Sequence, residues 1–204
     1  MLGQFLGSGS GITKLLYRFN GNVNDFSGNG LTGTLFGSPT YSPSYGRWSN
    51  GLRLDGVTVQ SVDLPSEISN ANFQTLSIWE YVLPGKSVWW GDTGTNHYLN
   101  IDSVFSGWYG GSATSVPLLT PGMWQHAVIV KTSTSTFACY VNGQFKGNVS
   151  IQFFPGILTT HLGRTTDGLK SGCYLGEVAV ENQAWTDSKI RKNHTYSTGR
   201  FAVL

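Results

Sequence analysis

Charged side chains are scarce in this chain. Of its 204 residues only 12% are Asp, Glu, Lys or Arg, and 13 basic against 11 acidic groups leave a net +2; soluble domains usually carry about 25%. So even a balance leaves no basic footprint for nucleic acid and none for an anionic membrane surface. Cysteine is scarcer still. Cys139 and Cys173 are too few for a disulfide scaffold and lack the CxxC spacing of a zinc site, which leaves two readings, small buried core residues or one disulfide. No apolar run approaches the roughly 20 residues of a membrane span, so no insertion is expected. The opening MLGQFLGSGSGITK has neither the charged n-region nor the apolar core of a secretory leader, so either the mature form is at hand or export takes another route. The four histidines, His97, His126, His161 and His194, show no metal-ligand spacing, and no Ser sits at the centre of a GxSxG.

What fills the chain instead is neutral and aromatic. Gly, Ser, Thr and Asn make up 82 of the 204 residues, and 13% are aromatic, with seven Trp. The large apolar residues exclude disorder by composition, and the surface must be built from uncharged hydrogen-bonding groups.

From Lys14 onward, short β-branched and aromatic runs alternate with Gly, Asn, Asp and Pro every eight to twelve positions, the spacing of an all-β sandwich. The predicted strands are 15–19, 31–36, 52–54, 57–64, 75–82, 87–90, 98–101, 104–109, 124–131, 136–141, 144–149, 158–162 and 174–180. Within 75–82, Leu76 and Ile78, and by the same alternation Glu80, fall on one face, with Ser77, Trp79 and Tyr81 on the other. Aliphatics on one side and aromatics on the other suit a sheet with one face on the core and one on a binding surface. Asn142-Gly143 predicts a type I′ hairpin. One helix is expected near the end, N-capped by Thr186 with Asp187 in its first turn. No linker or repeat divides residues 14–196, so the expected organisation is an N-terminal arm at 1–13, flexible or docking on a partner, one sandwich at 14–196 and a tail at 197–204.

Several motifs carry chemistry elsewhere. Gly28-Asn29-Gly30-Leu31-Thr32-Gly33 matches a dinucleotide fingerprint but stands between two strands, where it reads as tight turns. Glu177 and Glu181, at i and i+4 on one strand, suggest a glycosidase pair, yet four strand residues span about 13 Å, against the roughly 5 Å of retaining enzymes. His126, opening a strand after Trp124-Gln125, reads as structural. Asn148-Val-Ser150 and Asn193-His-Thr195 match the glycosylation pattern, which matters only in a secretory context. The remaining constellation is Trp89, Trp90, Asp92, Asn96, His97 and Tyr98, then Asp102, Trp108 and Tyr109. Aromatic faces there stack on sugars or anchor protein contacts, with Asp, Asn and His supplying directional hydrogen bonds; the alternative places several of these Trp in the core.

In order and spacing, Leu16-Tyr-Arg-Phe-Asn-Gly-Asn-Val-Asn-Asp25-Phe-Ser-Gly-Asn-Gly30, Gly51-Leu-Arg-Leu-Asp55-Gly56, Thr75-Leu-Ser-Ile-Trp79, Gly122-Met-Trp124-Gln-His126, Tyr140-Val-Asn-Gly143, Leu162-Gly-Arg164, Leu175-Gly-Glu177-Val and Asn182-Gln-Ala-Trp185 form one pattern. The chain thereby resembles the laminin G-like and pentraxin-like domains of the concanavalin A-like lectin/glucanase superfamily. That resemblance implies an antiparallel two-sheet jelly roll with one short C-terminal helix, mostly non-catalytic, binding carbohydrate or protein and often calcium. By motif position Asp25 and Glu177 are the candidate ion ligands, although Gly176-Glu177 stands where the family often has two acids. The glucanases of that superfamily place an Asp between their two Glu, where this chain has Ala179. The expected function is non-catalytic recognition or assembly: a virion decoration, fibre or tail-associated protein, docking on other subunits through its arm and tail and binding glycans at the surface. The alternatives are a carbohydrate-binding module of a secreted or cell-surface protein and, remotely, a glycosidase using Glu177 and Glu181. Either principal reading places the protein extracellularly or on a virion surface.

Overall fold

The computed structural model describes residues 13–68, 74–86, 88–91, 98–101, 119–133, 136–150, 161–164, 168 and 170–199. Two antiparallel sheets form a sandwich, as the strand spacing predicts. The larger contains β1 (Thr13–Tyr17), β3 (Thr40–Ser42), β4 (Gly51–Asp55), β6 (Thr75–Val82), β9 (Trp124–Lys131), β10 (Thr136–Val141), β11 (Gln144–Ser150) and β13 (Gly172–Glu181). Their order is β11-β10-β9-β6-β13-β4-β3, with β1 also paired to β13. The smaller runs β2-β5-β12-β7-β8, from β2 (Thr34–Phe36), β5 (Ser61–Asp63), β12 (His161–Leu162), β7 (Val88–Gly91) and β8 (Tyr98–Ile101). One 13-residue helix, α1 (Asp187–Gly199), follows. The predicted strands at 75–82, 98–101, 124–131 and 136–141 match the observed ones end to end, while β3 was not foreseen in the Pro- and Ser-rich segment. The strand expected at 104–109 and the arm residues 1–12 and tail residues 200–204 lie outside the described residues.

Between the sheets lie Leu15, Tyr17, Phe19, Leu52, Leu54, Val62, Leu76, Ile78, Val88, Ile129, Leu162, Leu175, Val178 and Val180, all buried. Both cysteines belong to this core and carry free thiols, so the reading as small buried residues holds. Strand β13 makes the layer continuous. One edge pairs with β6 along its length, while the other pairs first with β4 and then with β1. A register shift between Leu175 and Glu177 leaves Gly176 unmatched. That bulge lets Leu175 and Val178, three positions apart, both face the core.

The Asn142-Gly143 turn has φ of 50° and 78°, the positive pair a type I′ hairpin requires. Thr186 caps α1, its hydroxyl accepting from Lys189 N, and Trp185 and Ile190 pack on Val128, Val130, Ala138 and Tyr140. The helix thus covers part of the outward face of the larger sheet. Gly28 and Gly30 sit at positive φ in a loop between β1 and β2 with no helix after it, so the dinucleotide-like string is a turn.

In that loop Asp25 accepts from Leu16 N and Ser27 N on Oδ1, and from Leu31 N and the Ser27 hydroxyl on Oδ2. It ties the loop to the edge of β1. Burial works to raise its carboxyl, but these donors outweigh that and hold it below the usual range.

Strict alternation in β6 carries one polar residue inward. Glu80 lies in line with Leu76, Ile78 and Val82, is 1% exposed, and neither carboxyl oxygen has a hydrogen-bond partner. Burial pushes its carboxyl up to about 8. A folded-state value raised above the unfolded one contributes stability that is whole below the unfolded value near 4.5 and is lost as pH rises toward 8. Between pH 4.5 and 8 the Glu80 contribution falls by on the order of 4 kcal/mol. Urea denaturation of Glu80→Gln should therefore show a flatter dependence over that window and higher stability than the wild type at pH 8; parallel curves would show that Glu80 is not the group responsible.

Candidate functional site

Alternation in β6 and β9 turns Ser77, Trp79, Tyr81, Trp124, His126 and Val128 outward, since Trp79 pairs with His126 and Tyr81 with Trp124. On β13 the residues opposite are Tyr174, beside Tyr81, and Glu177, beside Trp79. On β4 it is Arg53, beside Tyr174. The outward face left open by α1 therefore carries a row of side chains running across four strands.

Tyr45 joins that row from the loop 43–50. Its ring stacks on Tyr174 at 4.9 Å and 25°, Tyr174 stacks on Tyr81 at 5.3 Å and 20°, and Trp124 meets Tyr81 at 6.1 Å and 62°. All four are half-buried. Stacking commits the tyrosine faces largely to one another, so a ligand meets ring edges and phenolic hydroxyls, with Trp124 turned across the end of the row. Arg53 lies with its guanidinium carbon 5.7 Å from the Tyr45 ring centre. Trp124 reaches over the bulge at Gly176, where a Cβ would lie 3.3 Å from two ring carbons.

Beside this row is a second stack. Trp79, 1% exposed, lies near-parallel to His126 at 4.8 Å and 11° and to His194 of α1 at 5.6 Å and 18°, the two imidazoles being 5.8 Å from each other, with Trp48 meeting Trp79 edge-on at 5.1 Å. Arg47 rests its guanidinium carbon 4.1 Å above the Trp79 ring. His126 is fully buried, joined through Nε2 to the Ser77 hydroxyl at 2.8 Å. Burial, then the charges of His194 and Arg47, push it down to about 3, so it is neutral at pH 7. This is the structural histidine the sequence suggests, and it is no general base. The loop bearing Tyr45, Arg47 and Trp48 is fixed by close backbone approach: a Cβ on Gly46 would strike the carbonyls of Ser49 and Asn50, and one on Gly51 the carbonyl of Tyr45. Ser49 adds a hydrogen bond to Asn20.

The smaller sheet carries a polar cluster on its own outward side. Asp63 Oδ1 lies 2.6 Å from His161 Nδ1 and accepts the Ser61 hydroxyl at 2.6 Å, while Arg164 pairs with Asp63 Oδ2 at 3.2 Å and stacks on Phe36. Its charges neutralise one another.

The residues nominated from sequence fare unevenly. Trp89 and Trp90 stand in β7 and Tyr98 in β8, with Trp90 in register between Leu162 and Leu99; Asp92, Asn96, His97, Asp102, Trp108 and Tyr109 lie outside the described residues. Asp25 does not suit the ion-ligand role the resemblance implies, because each oxygen already accepts two N–H or O–H donors and calcium needs six to eight free oxygen ligands. Glu177 is not part of a metal cluster either: among the described residues no three His, Cys, Asp or Glu side chains gather as one. Glu181 is 1% exposed beneath α1, bonded to the Trp185 indole, to Lys189 Nζ at 2.6 Å and to Thr13 at 3.3 Å. It is a structural anchor, sealed from solvent by these contacts. The aromatic row itself was missed except through β6, where aromatics shared one face; Tyr174 and the loop residues Tyr45 and Trp48 carry no periodic signal.

No family profile matches the chain, and no curated protein matches its sequence. Solved structures do match in fold. Domain 4 of AbnA, an extracellular GH43 arabinanase from Geobacillus stearothermophilus, in complex with arabinotriose, superposes with a TM-score of 0.65 at 20% identity, over 90% of this chain and 98% of that one. The binding domain of Paraclostridial Mosquitocidal Protein 1 gives 0.62 at 15% identity over 92% of this chain. A botulinum neurotoxin type C structure, whose cell entry is described as dependent on two ganglioside molecules, gives 0.66 at 13% over 91%. The chain spans about half the length of these toxin binding regions, 52% and 51%.

Replacing Trp79 by Ala removes the ring on which two histidines, Trp48 and Arg47 rest. It should cost about 3–5 kcal/mol in urea denaturation and abolish the near-ultraviolet circular dichroism of the stack; a loss below about 1 kcal/mol would show that the stack does not hold the helix and loop in place.

Proposed function

We propose that the chain is a non-catalytic glycan-recognition domain that binds its ligand on the open half of the larger sheet's outward face. The observation that carries this reading is the half-buried row Tyr45, Tyr174, Tyr81 and Trp124, held on rigid strands. Buried aromatics ordinarily disappear into a core; here a second aromatic layer stands outside it, with Arg53 and Arg47 at its margin, an apolar surface with a few polar groups as saccharide sites have. The neighbours lend support: an arabinanase domain solved with arabinotriose and a neurotoxin that uses gangliosides share this fold. The same reading keeps the chain with the laminin G-like and pentraxin-like sandwiches it resembles in motif order. A glycosidase reading is set aside because Glu181 is sealed under α1, and calcium is not required, since Asp25 is spent on its own loop. The finer assignment to a virion decoration, fibre or tail-associated protein rests on the low charge; a module of a secreted protein would display the same face.

A glycan array with calorimetry on its hits tests the site. Tyr174→Ala and Trp124→Ala should each weaken binding by about tenfold or more, the loss of one stacking or hydrogen-bonding residue, with the melting temperature nearly unchanged. Loss in Trp90→Ala or Trp108→Ala instead would move the site to the region nominated from sequence. Silence across neutral and acidic panels would overturn the glycan reading and favour docking on protein subunits.

A further inference from the structure

Arg47 is a half-buried cation that forms no ion pair among the described residues. Its guanidinium lies 4.1 Å over Trp79 and 5.6 Å from Trp48, and its Nε is buried with no hydrogen-bond partner. The ion pairs of the described residues join His161 and Arg164 to Asp63, and Lys189 to Glu181; none involves Arg47. Burial alone lowers its affinity for its own proton, and its charge in turn helps to depress His126 and His194. The titratable and charged groups around it are neutral or engaged elsewhere. His126 is neutral, Asp55 is committed to Val57 N, Thr58 N and the Thr58 hydroxyl, and Glu177, in register beside Trp79, has contacts of its own. Arg53, the second cation on this face, differs: its Nε is buried without a partner, but the side chain bonds Tyr45 and feels the charge of Asp55.

Withdrawing a guanidinium from water without an acid beside it is costly. Laying it flat on an indole recovers part of that cost, and a planar anion would supply the hydrogen-bond acceptors that the guanidinium otherwise lacks. The guanidinium lies beside the tyrosine row, because Trp79 and Tyr81 are two residues apart on the same face of β6.

Resting on the glycan reading above, we infer that the ligand is an acidic saccharide, one bearing a carboxylate or sulfate, whose anionic group is received by Arg47 while its ring lies along Tyr174, Tyr81 and Trp124. Charge complementarity supports this: Arg47 is in no ion pair among the described residues, whereas Arg53 already has Tyr45 and the charge of Asp55 beside it, on a chain whose net charge is only +2. A neutral oligosaccharide would use the row but leave Arg47 as it is.

The test uses the full chain on an array of matched pairs, each acidic glycan (uronate, sialylated or sulfated) printed beside the counterpart that lacks only the acid group, with calorimetry on the hits. Binding confined to acidic members supports the inference, and the sulfated and carboxylated arms tell which anion is taken. Arg47→Gln should lose on the order of tenfold to a hundredfold in affinity and erase the preference, Arg47→Lys should keep part of it, and the wild-type affinity should fall with added salt. Thermal melts of both variants separate loss of binding from loss of fold. Equal binding of neutral counterparts, or an acidic hit that survives Arg47→Gln unchanged in a folded variant, overturns the anion site and leaves the aromatic-face reading intact. No hit of either kind overturns that reading, and the inference with it.

Discussion

The unmatched residue Gly176 is the constraint on which both faces of the larger sheet depend. A regular β13 would send its residues in and out by strict alternation, so that Leu175 and Val178 could not both enter the core. The shift between Leu175 and Glu177 resets the phase in mid-strand. Before it, β13 pairs with β4 and places Tyr174 outward beside Tyr81; after it, the strand pairs with β1 and sends Val178 and Val180 inward. The absence of a side chain at the bulge is also what admits Trp124, whose ring approaches closely enough that a Cβ would press on it. Core phase and outward aromatic row thus share one residue.

Trp79 plays the complementary part on the outward side. It is as buried as any core residue, yet it sits on the face opposite the core, because α1 supplies His194 above it and the loop 43–50 supplies Trp48 and Arg47. The helix and loop each cover it partly, so the same ring that seals one half of the face forms the wall of the open half. Electrostatics follow the packing: neutral histidines and an arginine outside the described ion pairs can share this space only because the aromatic surfaces take up the contact area between them.

Much of this was legible in the chain and some was not. Periodicity of two in 75–82, 124–131 and 136–141 gave strands with correct ends, since apolar residues must meet the core at alternate positions. The Asn142-Gly143 turn and the Thr186 cap were readable because few residues tolerate positive φ or satisfy a first helical turn. Glu80 stood out as the polar residue on an apolar face. The site was only half visible. Trp79 and Tyr81 shared a face in sequence, but their partners come from β9, β13 and a loop without periodicity, brought together by tertiary pairing alone. The dense aromatics at 89–109 are the stronger signal along the chain, and most of that segment lies outside the described residues. Asp25 is an acid in a recognisable loop motif whose oxygens are engaged locally by the donors of Leu16, Ser27 and Leu31.

The pairing of β1 with β13 joins Thr13 to Glu181, 168 positions apart, and this has a kinetic side. A contact of that span can form only after nearly the whole chain has been drawn in, and topologies ruled by such contacts fold slowly. Until β1 arrives, the second half of β13 is an unpaired edge bearing Val178 and Val180, a surface open to other chains. The loop held by Asp25 bonds directly to Leu16 of β1, so the local ordering of 16–31 prepares the strand for this last step. Among the pairings of the larger sheet, that of β1 with β13 therefore carries the greatest loop-closure cost.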